Sequence, residues 1–206
     1  MTFQTEQEAF WAGDFGNEYN LRNRGSALLA SNLNFFSKAL HATRNLKSCI
    51  EFGANIGMNL RAIQLLYPAM DLHAIEINQE AACELAQIVP EHQIHQGSIL
   101  EFQANRTWDL VLIKGVLIHI NPDVLPGVYD RLATSSERYV LIAEYYNPAP
   151  VTVNYRGHTE RLFKRDFAGE LMERHPSFNL VDYGFAYRRD PNFPQDDITW
   201  FLMEKN

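Results

Sequence analysis

Cys49-Ile50-Glu51-Phe52-Gly53-Ala54-Asn55-Ile56-Gly57-Met58-Asn59-Leu60 decides how this 206-residue chain folds. Its first four residues favour a strand, its middle is punctuated by glycine, and its end opens a helical pattern. The stretch therefore reads as strand, tight turn and helix start. Gly53 lets the backbone reverse, and Gly57 lets the helix begin close to a ligand. Turns of this kind open many nucleotide-binding βαβ units. A dinucleotide fingerprint would need glycine where Asn55 and Met58 stand, so nothing here is arranged to take a pyrophosphate.

From Lys47 onward, short β-rich runs alternate with helical patterns, which predicts an α/β domain with a mainly parallel sheet. Strands are expected over 48–52, 72–77, 93–96, 109–113 and 139–143. After Asp109 the last two are apolar and should be central. After Gly57, Leu60, Ile63 and Leu66 share a helix face until Pro68. Asn78 caps a helix carrying Ala81, Ala82, Leu85 and Ile88 that stops at Pro90. Asn121-Pro122-Asp123 combines a capping side chain, a proline at the first helical position and a carboxylate at the positive dipole end. The helix it opens presents Val124, Val128, Tyr129 and Leu132. Residues 180–187 and 198–203 read as strands joined by a helix-free loop, Arg188 to Asp197, which suits an antiparallel hairpin. The expected fold is Rossmann-like α/β: a mostly parallel seven-stranded sheet closed by a C-terminal antiparallel β-hairpin.

One domain over 1–206 is expected, with 1–45 as a helical lid or strap and 46–206 as the α/β core. Leu28, Leu29, Leu33, Phe36 and Leu40 mark an amphipathic helix. Phe10 to Tyr19 is too aromatic and glycine-punctuated for an ordinary linker, and reads either as a lid or as a hydrophobic strap. Met1 to Glu8 has no basic residue and no long apolar run, so no export signal is expected. Leu110 to Ile120, interrupted by Lys114, is too short to span a bilayer. The two cysteines, Cys49 and Cys83, suggest no disulfide framework and fit a reducing cytoplasm. His92 and His95 would lie on opposite faces of a strand, so no metal site is expected. A net charge of −7 argues against nucleic-acid partners. The oligomeric state is not legible.

Several further segments recur in one order: Leu117-Ile118-His119-Ile120-Asn121-Pro122, Glu144-Tyr145-Tyr146-Asn147-Pro148, Tyr155-Arg156-Gly157-His158, and Asp190-Pro191-Asn192-Phe193-Pro194-Gln195-Asp196-Asp197. With the opening stretch, they make the chain resemble class I methyltransferases over almost its whole length, and more narrowly the methylases associated with pseudaminic acid biosynthesis. Asn55 departs from the middle glycine usual in the broad class. The resemblance implies S-adenosylmethionine as methyl donor and a small-molecule acceptor. Glu51, at the end of the first strand, is placed for the amino group of the cofactor. Glu76 ends the second strand, 19 residues after Gly57, where its carboxylate can accept from two ribose hydroxyls. Ser98 and Ile99 would border the adenine. Tyr19, Gly53, Asn55, Gly57, Asn59, Ile77, Lys114, Gly115 and Val116 complete the expected cofactor site.

Ligands of open α/β sheets bind beyond the carboxyl ends of the strands, so three segments should meet at the methyl group: Lys114 to Asn121, Glu144 to Asn147, and the connection from Val151 to Arg165. His119 is the first choice for a general base, with a purely orienting role as the alternative. Glu144 would either stabilise a protonated His119 or His158, or cap its strand. His158 is the third catalytic candidate. Trp11, Tyr145, Tyr146 and Tyr155 offer flat surface to an acceptor. Arg156, Arg161 and Lys164, with His158 and Arg165, form a cationic cluster beside a helix expected to start near Lys164, which predicts an anionic acceptor such as a nonulosonic acid or a nucleotide-sugar. Asp166 and Glu170 could instead neutralise the cluster internally. The chain has no Asn-Pro-Pro-Tyr or Asp-Pro-Pro-Tyr after its fourth strand, which disfavours nucleobase chemistry. Two other readings stand beside a methyltransferase of small metabolites: a non-catalytic S-adenosylmethionine-binding regulatory partner, and a nicotinamide oxidoreductase.

Overall fold

The computed structural model describes residues 3–155 and 158–206, with side chains described except at 155 and 158–160. Seven strands form one sheet: β1 (Ser48–Phe52), β2 (Asp71–Glu76), β3 (Ile94–Gln96), β4 (Trp108–Lys114) and β5 (Ser136–Glu144), then β8 (Phe178–Ala186) and β9 (Ile198–Lys205). Their order is β3-β2-β1-β4-β5-β9-β8. The first five run parallel, and β9 lies antiparallel between β5 and β8. The hairpin expected at the C-terminus is present, and its second strand, not its first, joins the parallel core. Burial explains that choice. Leu202 and Met203 of β9 are fully covered, whereas most of β8 is exposed.

Among the described residues, seven α-helices accompany the sheet: α1 (Glu6–Ala12), α2 (Asp14–Asn20), α3 (Ser26–Ala39), α4 (Met58–Leu66), α5 (Gln79–Leu85), α6 (Leu125–Ser135) and α7 (Phe167–Arg174). β1 is buried at all five positions and so needs cover on both faces. On one face Ile50, Val111 and Val140 meet Val128 and Leu132 of α6 and Leu171 of α7. On the other, Cys49, Leu110 and Leu141 meet Phe36 of α3 and Leu60 and Ile63 of α4. Removing one such buried Leu side chain to Ala typically costs about 2 to 5 kcal/mol.

Helix ends follow their caps. Asn78 Oδ1 accepts from Ala81 N at 2.9 Å and starts α5 as expected, but that helix ends at Leu85, short of Pro90. Asn121 Oδ1 accepts from Asp123 N at 3.0 Å, yet what it caps is a single 3-10 turn, Pro122–Val124, and α6 begins only at Leu125. The segment from Val151 to Arg165 differs most from expectation. It is an antiparallel hairpin, β6 (Val151–Tyr155) with β7 (His158–Lys164), and α7 starts at Phe167 instead of near Lys164. Asp166 sets that start, its Oδ1 accepting from Gly169 N at 2.9 Å. Phe163 is therefore a strand residue. No helix among the described residues is long and apolar enough to cross a membrane.

Candidate functional site

The turn after β1 is left-handed at three positions: Gly53 (φ 78°), Asn55 (φ 51°) and Gly57 (φ 82°). Asparagine is among the few non-glycine residues that visit this region readily, so Asn55 keeps the course that a middle glycine would give. A Cβ on Gly53 would lie 2.6 Å from Val116 Cγ2, which joins this turn closely to the one after β4. A Cβ on Gly57 would lie 2.6 Å from Leu85 Cδ1 and 3.0 Å from Ile88 Cδ1. Gly57 does not line the cavity beside the turn. Its glycine serves the approach of α4 to the end of α5, and not the approach of a ligand.

That cavity, of about 620 Å³, opens at the carboxyl ends of β1, β2 and β4, and its volume is in the range of cofactor and small-molecule sites. Glu76 lines it. Its Oε2 accepts from Asn55 N at 2.6 Å and its Oε1 from Asn78 N at 2.7 Å, so two backbone N–H groups fix the carboxylate. Each oxygen has a second lone pair for a ligand. Burial raises the pKa of Glu76 above the usual carboxylate value, against the pull of these backbone bonds. Ile77, Ser98 and Ile99 lie alongside. Ser98 Oγ accepts from Leu100 N at 2.9 Å and donates to Glu8 Oε1 of α1.

Glu51 is fully buried and lies behind the wall, because Asn59 stands between it and the cavity. Asn59 Nδ2 donates to Glu51 Oε1 at 2.6 Å, while Oε2 has no hydrogen-bond partner. Burial pushes the Glu51 carboxyl up to about 8, opposed by the Asn59 bond and by the Lys114 ammonium. Lys114 lines the cavity with Gly115 and Val116. Burial lowers its affinity for a proton, opposed by the charges of Glu51, Asp196 and Glu144.

His119 also lines the cavity. Its Nδ1 is 2.6 Å from the carbonyl oxygen of Arg161, and a carbonyl only accepts, so Nδ1 carries the hydrogen and Nε2 of the neutral ring is an acceptor. Burial pushes its pKa down to about 4, which keeps the ring neutral at physiological pH. The Trp11 ring lies 4.6 Å from it, centroid to centroid. Glu144 Oε1 accepts from Val116 N and Leu117 N, each at 2.9 Å, and so holds the turn that carries His119. Burial pushes Glu144 up to about 7.

Of the expected acceptor residues, Trp11 and Tyr145 line the cavity. Tyr146 points elsewhere: it is 41% exposed and its ring rests on Phe201 at 5.7 Å. Alternation along the extended chain after β5 places the two tyrosines on opposite sides. Arg161 does not line the cavity; its guanidinium is 3.0 Å from Glu6 and over the Phe10 ring. Arg165 is paired with Glu170 at 2.7 Å. Lys164 Nζ lies 5.2 Å from the Tyr145 ring centroid. The expected roles of the Tyr155, Arg156 and His158 side chains lie outside the described residues.

Two walls complete the cavity. The first is made by α1 and α2, in the segment expected as a lid or strap, where Gln7, Glu8 and Gly16 join the expected Trp11 and Tyr19. An amide lattice anchors them: Asn78 Nδ2 donates to Asn17 Oδ1 at 2.6 Å, Asn20 Nδ2 to Asn78 Oδ1 at 3.1 Å, and Asn55 Nδ2 to Asn20 Oδ1 at 2.6 Å. The second is the β8–β9 loop, through Pro194, Gln195 and Asp196. Gln195 Nε2 donates to Asn32 Oδ1 of α3 at 2.8 Å, which ties this loop to the helical layer.

No family model matches the sequence, and no curated protein matches it. Solved structures do match. Magnesium protoporphyrin IX methyltransferase from Synechocystis PCC 6803 with bound S-adenosylmethionine is 11% identical, each chain covered completely, with a TM-score of 0.68. The 1,6-didemethyltoxoflavin-N1-methyltransferase of Burkholderia thailandensis, with its substrate and S-adenosylhomocysteine bound, is 17% identical over 97% of this chain and 87% of its own, with a TM-score of 0.69. The fold is that of S-adenosylmethionine-dependent methyltransferases. An S-adenosylmethionine-dependent methyltransferase from Clostridium acetobutylicum ATCC 824 extends the same likeness at 12% identity, covering 93% and 98%, with a TM-score of 0.63. These matches show the fold of the broad class, and none supports the narrower resemblance to pseudaminic acid-associated methylases.

Proposed function

We propose that this chain is an S-adenosylmethionine-dependent methyltransferase acting on a small-molecule acceptor. The observation that carries the reading is the paired placement of Glu76 in the cavity wall and Glu51 behind Asn59, at the ends of adjacent parallel strands. When bound, S-adenosylmethionine supplies an electrophilic methyl group on a sulfonium sulfur. Glu76 is pre-oriented by two backbone N–H groups to accept from ribose hydroxyls. Glu51, with an unpartnered buried oxygen, supplies negative charge for an ammonium group beside Asn59. Ser98 and Ile99 border the adenine, and Gly53, Val116 and Tyr19 shape the groove between.

The acceptor lies on the other side of the methyl group, against Trp11, Tyr145 and His119. Alignment of nucleophile and methyl carbon supplies much of the acceleration, roughly 7 to 11 kcal/mol in favourable cases. His119 Nε2 takes the acceptor's proton where one must leave, and Glu144 keeps the turn beneath it in place. The walls favour a flat acceptor over an acidic sugar: two aromatic rings face the space, while Arg161 and Arg165 are engaged by Glu6 and Glu170. Lys114 and Arg188, which line the cavity, and Lys164, over Tyr145, are described cations that favour the anionic alternative, a nonulosonic acid or nucleotide-sugar. The test is incubation with S-adenosylmethionine and fractionated cell extract. Release of S-adenosylhomocysteine together with a methylated product supports the reading, and tight binding of the cofactor with no turnover in any fraction favours the regulatory partner.

A further inference from the structure

β8 is the outermost strand of the sheet, and natural edge strands are usually blunted by lysine, proline or a bulge. Here the bulge lies at Val181, between Leu180 and Asp182, and the edge beyond it runs Asp182-Tyr183-Gly184-Phe185-Ala186 to the strand's end, followed by Tyr187 and Arg188, with neither lysine nor proline. Tyr183 is 66% exposed, Phe185 60% and Tyr187 48%. Strand alternation puts these three rings on one face, where Tyr183 stacks on Phe201 and Phe201 meets Tyr146. α7 covers Phe178 and Met203 on that face but leaves these rings to solvent.

The heptad is self-complementary when run antiparallel to itself. About Phe185 as centre, Asp182 falls opposite Arg188, Tyr183 opposite Tyr187, Gly184 opposite Ala186, and Phe185 opposite itself. Opposite charges therefore meet at both ends, aromatic rings meet on one face, and small residues meet on the other. We propose that the outer edge of β8 is the interface of a two-fold dimer of this chain, joining the two sheets through the antiparallel pairing of Asp182 to Arg188 with the same segment of the partner.

An isologous contact is the arrangement that self-complementary patches produce. The exposed rings and Leu180 offer on the order of 400 to 500 Å² of apolar surface, given roughly 150 to 250 Å² per aromatic side chain. A standard interface buries about 800 Å² per partner, apolar at the centre and polar at the rim, so the patch supplies the centre and the strand edge with its charges supplies the rim. Asp182 and Arg188 meet His41 at 3.4 Å and Asp197 at 3.3 Å on their own chain, and Arg188, which also lines the cavity, keeps 62% of its side chain exposed. A net charge of −7 disfavours an anionic membrane as the occupant. The interface would also border the β8–β9 loop, whose Gln195 and Asp196 wall the cavity.

Sedimentation velocity at micromolar concentration tests this directly. The wild-type chain should sediment as a dimer, and Phe185→Lys, which places like charges together on the axis, should weaken dimerisation at least roughly 100-fold without altering the circular dichroism spectrum. A second variant fixes the register. In a Cys83→Ser background, which removes the exposed native thiol, Phe185→Cys should form a covalent dimer on mild oxidation. Opposed residues of an antiparallel ladder have Cα atoms about 4.5 to 5.5 Å apart, within disulfide reach. Leu180→Cys should not cross-link, because its copies would lie far apart along the strand. A monomeric wild-type chain, a dimer that survives Phe185→Lys, cross-linking equal at both positions or absent at 185, or a monomer that binds vesicles through this face would each overturn the proposal.

Discussion

Glu51 and Glu76 end neighbouring parallel strands, and the fold treats their charges differently. Glu76 has both oxygens bonded to backbone N–H groups, whereas Glu51 has one oxygen bonded to Asn59 and one with no partner. The second arrangement is costly despite the nearby Lys114 ammonium, since an unmet buried acceptor forfeits its hydration. Glu51→Gln should therefore leave the cofactor-free protein as stable as the wild type or more so at pH 8 to 9, and weaken S-adenosylmethionine binding by more than about 1.5 kcal/mol. Thermal melts and calorimetry read the two effects separately; a variant that melts lower and binds normally would remove the charge role. At His119, the neutral ring predicts a rate independent of this group's titration from about pH 5 to 8. His119→Ala should lower turnover roughly 10² to 10⁴-fold with cofactor affinity nearly unchanged. Equal loss of affinity would show that the ring only shapes the cavity.

At the scale of elements, the turn after β1 was legible because glycine spacing and strand chemistry point the same way, and the structure sharpens why each glycine is needed. Gly57→Val should destabilise the fold by more than about 1 to 2 kcal/mol, the cost of a left-handed conformation alone, because the side chain would also meet Leu85 and Ile88. The signature is a lowered melting temperature, with cofactor affinity of the folded fraction little changed. Strong loss of affinity at an unchanged melting temperature would restore Gly57 to the ligand's side. The hairpin β6–β7 was not legible: Val151, Thr152 and Val153 carry β-propensity, but the cations at 156, 161, 164 and 165 drew attention to a helix dipole that begins only at Phe167. The amide lattice of Asn17, Asn20, Asn55 and Asn78 was equally hidden, since its members lie up to 61 residues apart and none has a spacing that announces the others. The same holds for Gln195 on Asn32.

The whole molecule carries buried acids on the cavity side of its sheet, and their linkage to pH has a definite sign. Glu51 and Glu144 rise from an ordinary 4.5 to about 8 and about 7, so the native chain binds more protons than the unfolded chain between those limits. Stability from these groups is greatest below about pH 4.5 and is lost as pH rises through 7 to 8. His119 acts oppositely: with its pKa lowered from 6.5 to about 4, it contributes stability present above 6.5 and lost as pH falls toward 4. The cofactor-free protein should accordingly melt highest in mildly acidic solution, and a melt that rose steadily to pH 9 would contradict the buried-acid reading. S-adenosylmethionine, bringing positive charge toward Glu51, should flatten the alkaline loss. The most direct test of the central reading is calorimetric titration of the wild-type chain with S-adenosylmethionine, S-adenosylhomocysteine and a nicotinamide dinucleotide. The cavity predicts one-to-one binding of the first two, weakened by about 1.5 to 3 kcal/mol in Glu76→Gln, and no heat from the third. Saturable binding of the dinucleotide with none of S-adenosylmethionine would contradict it.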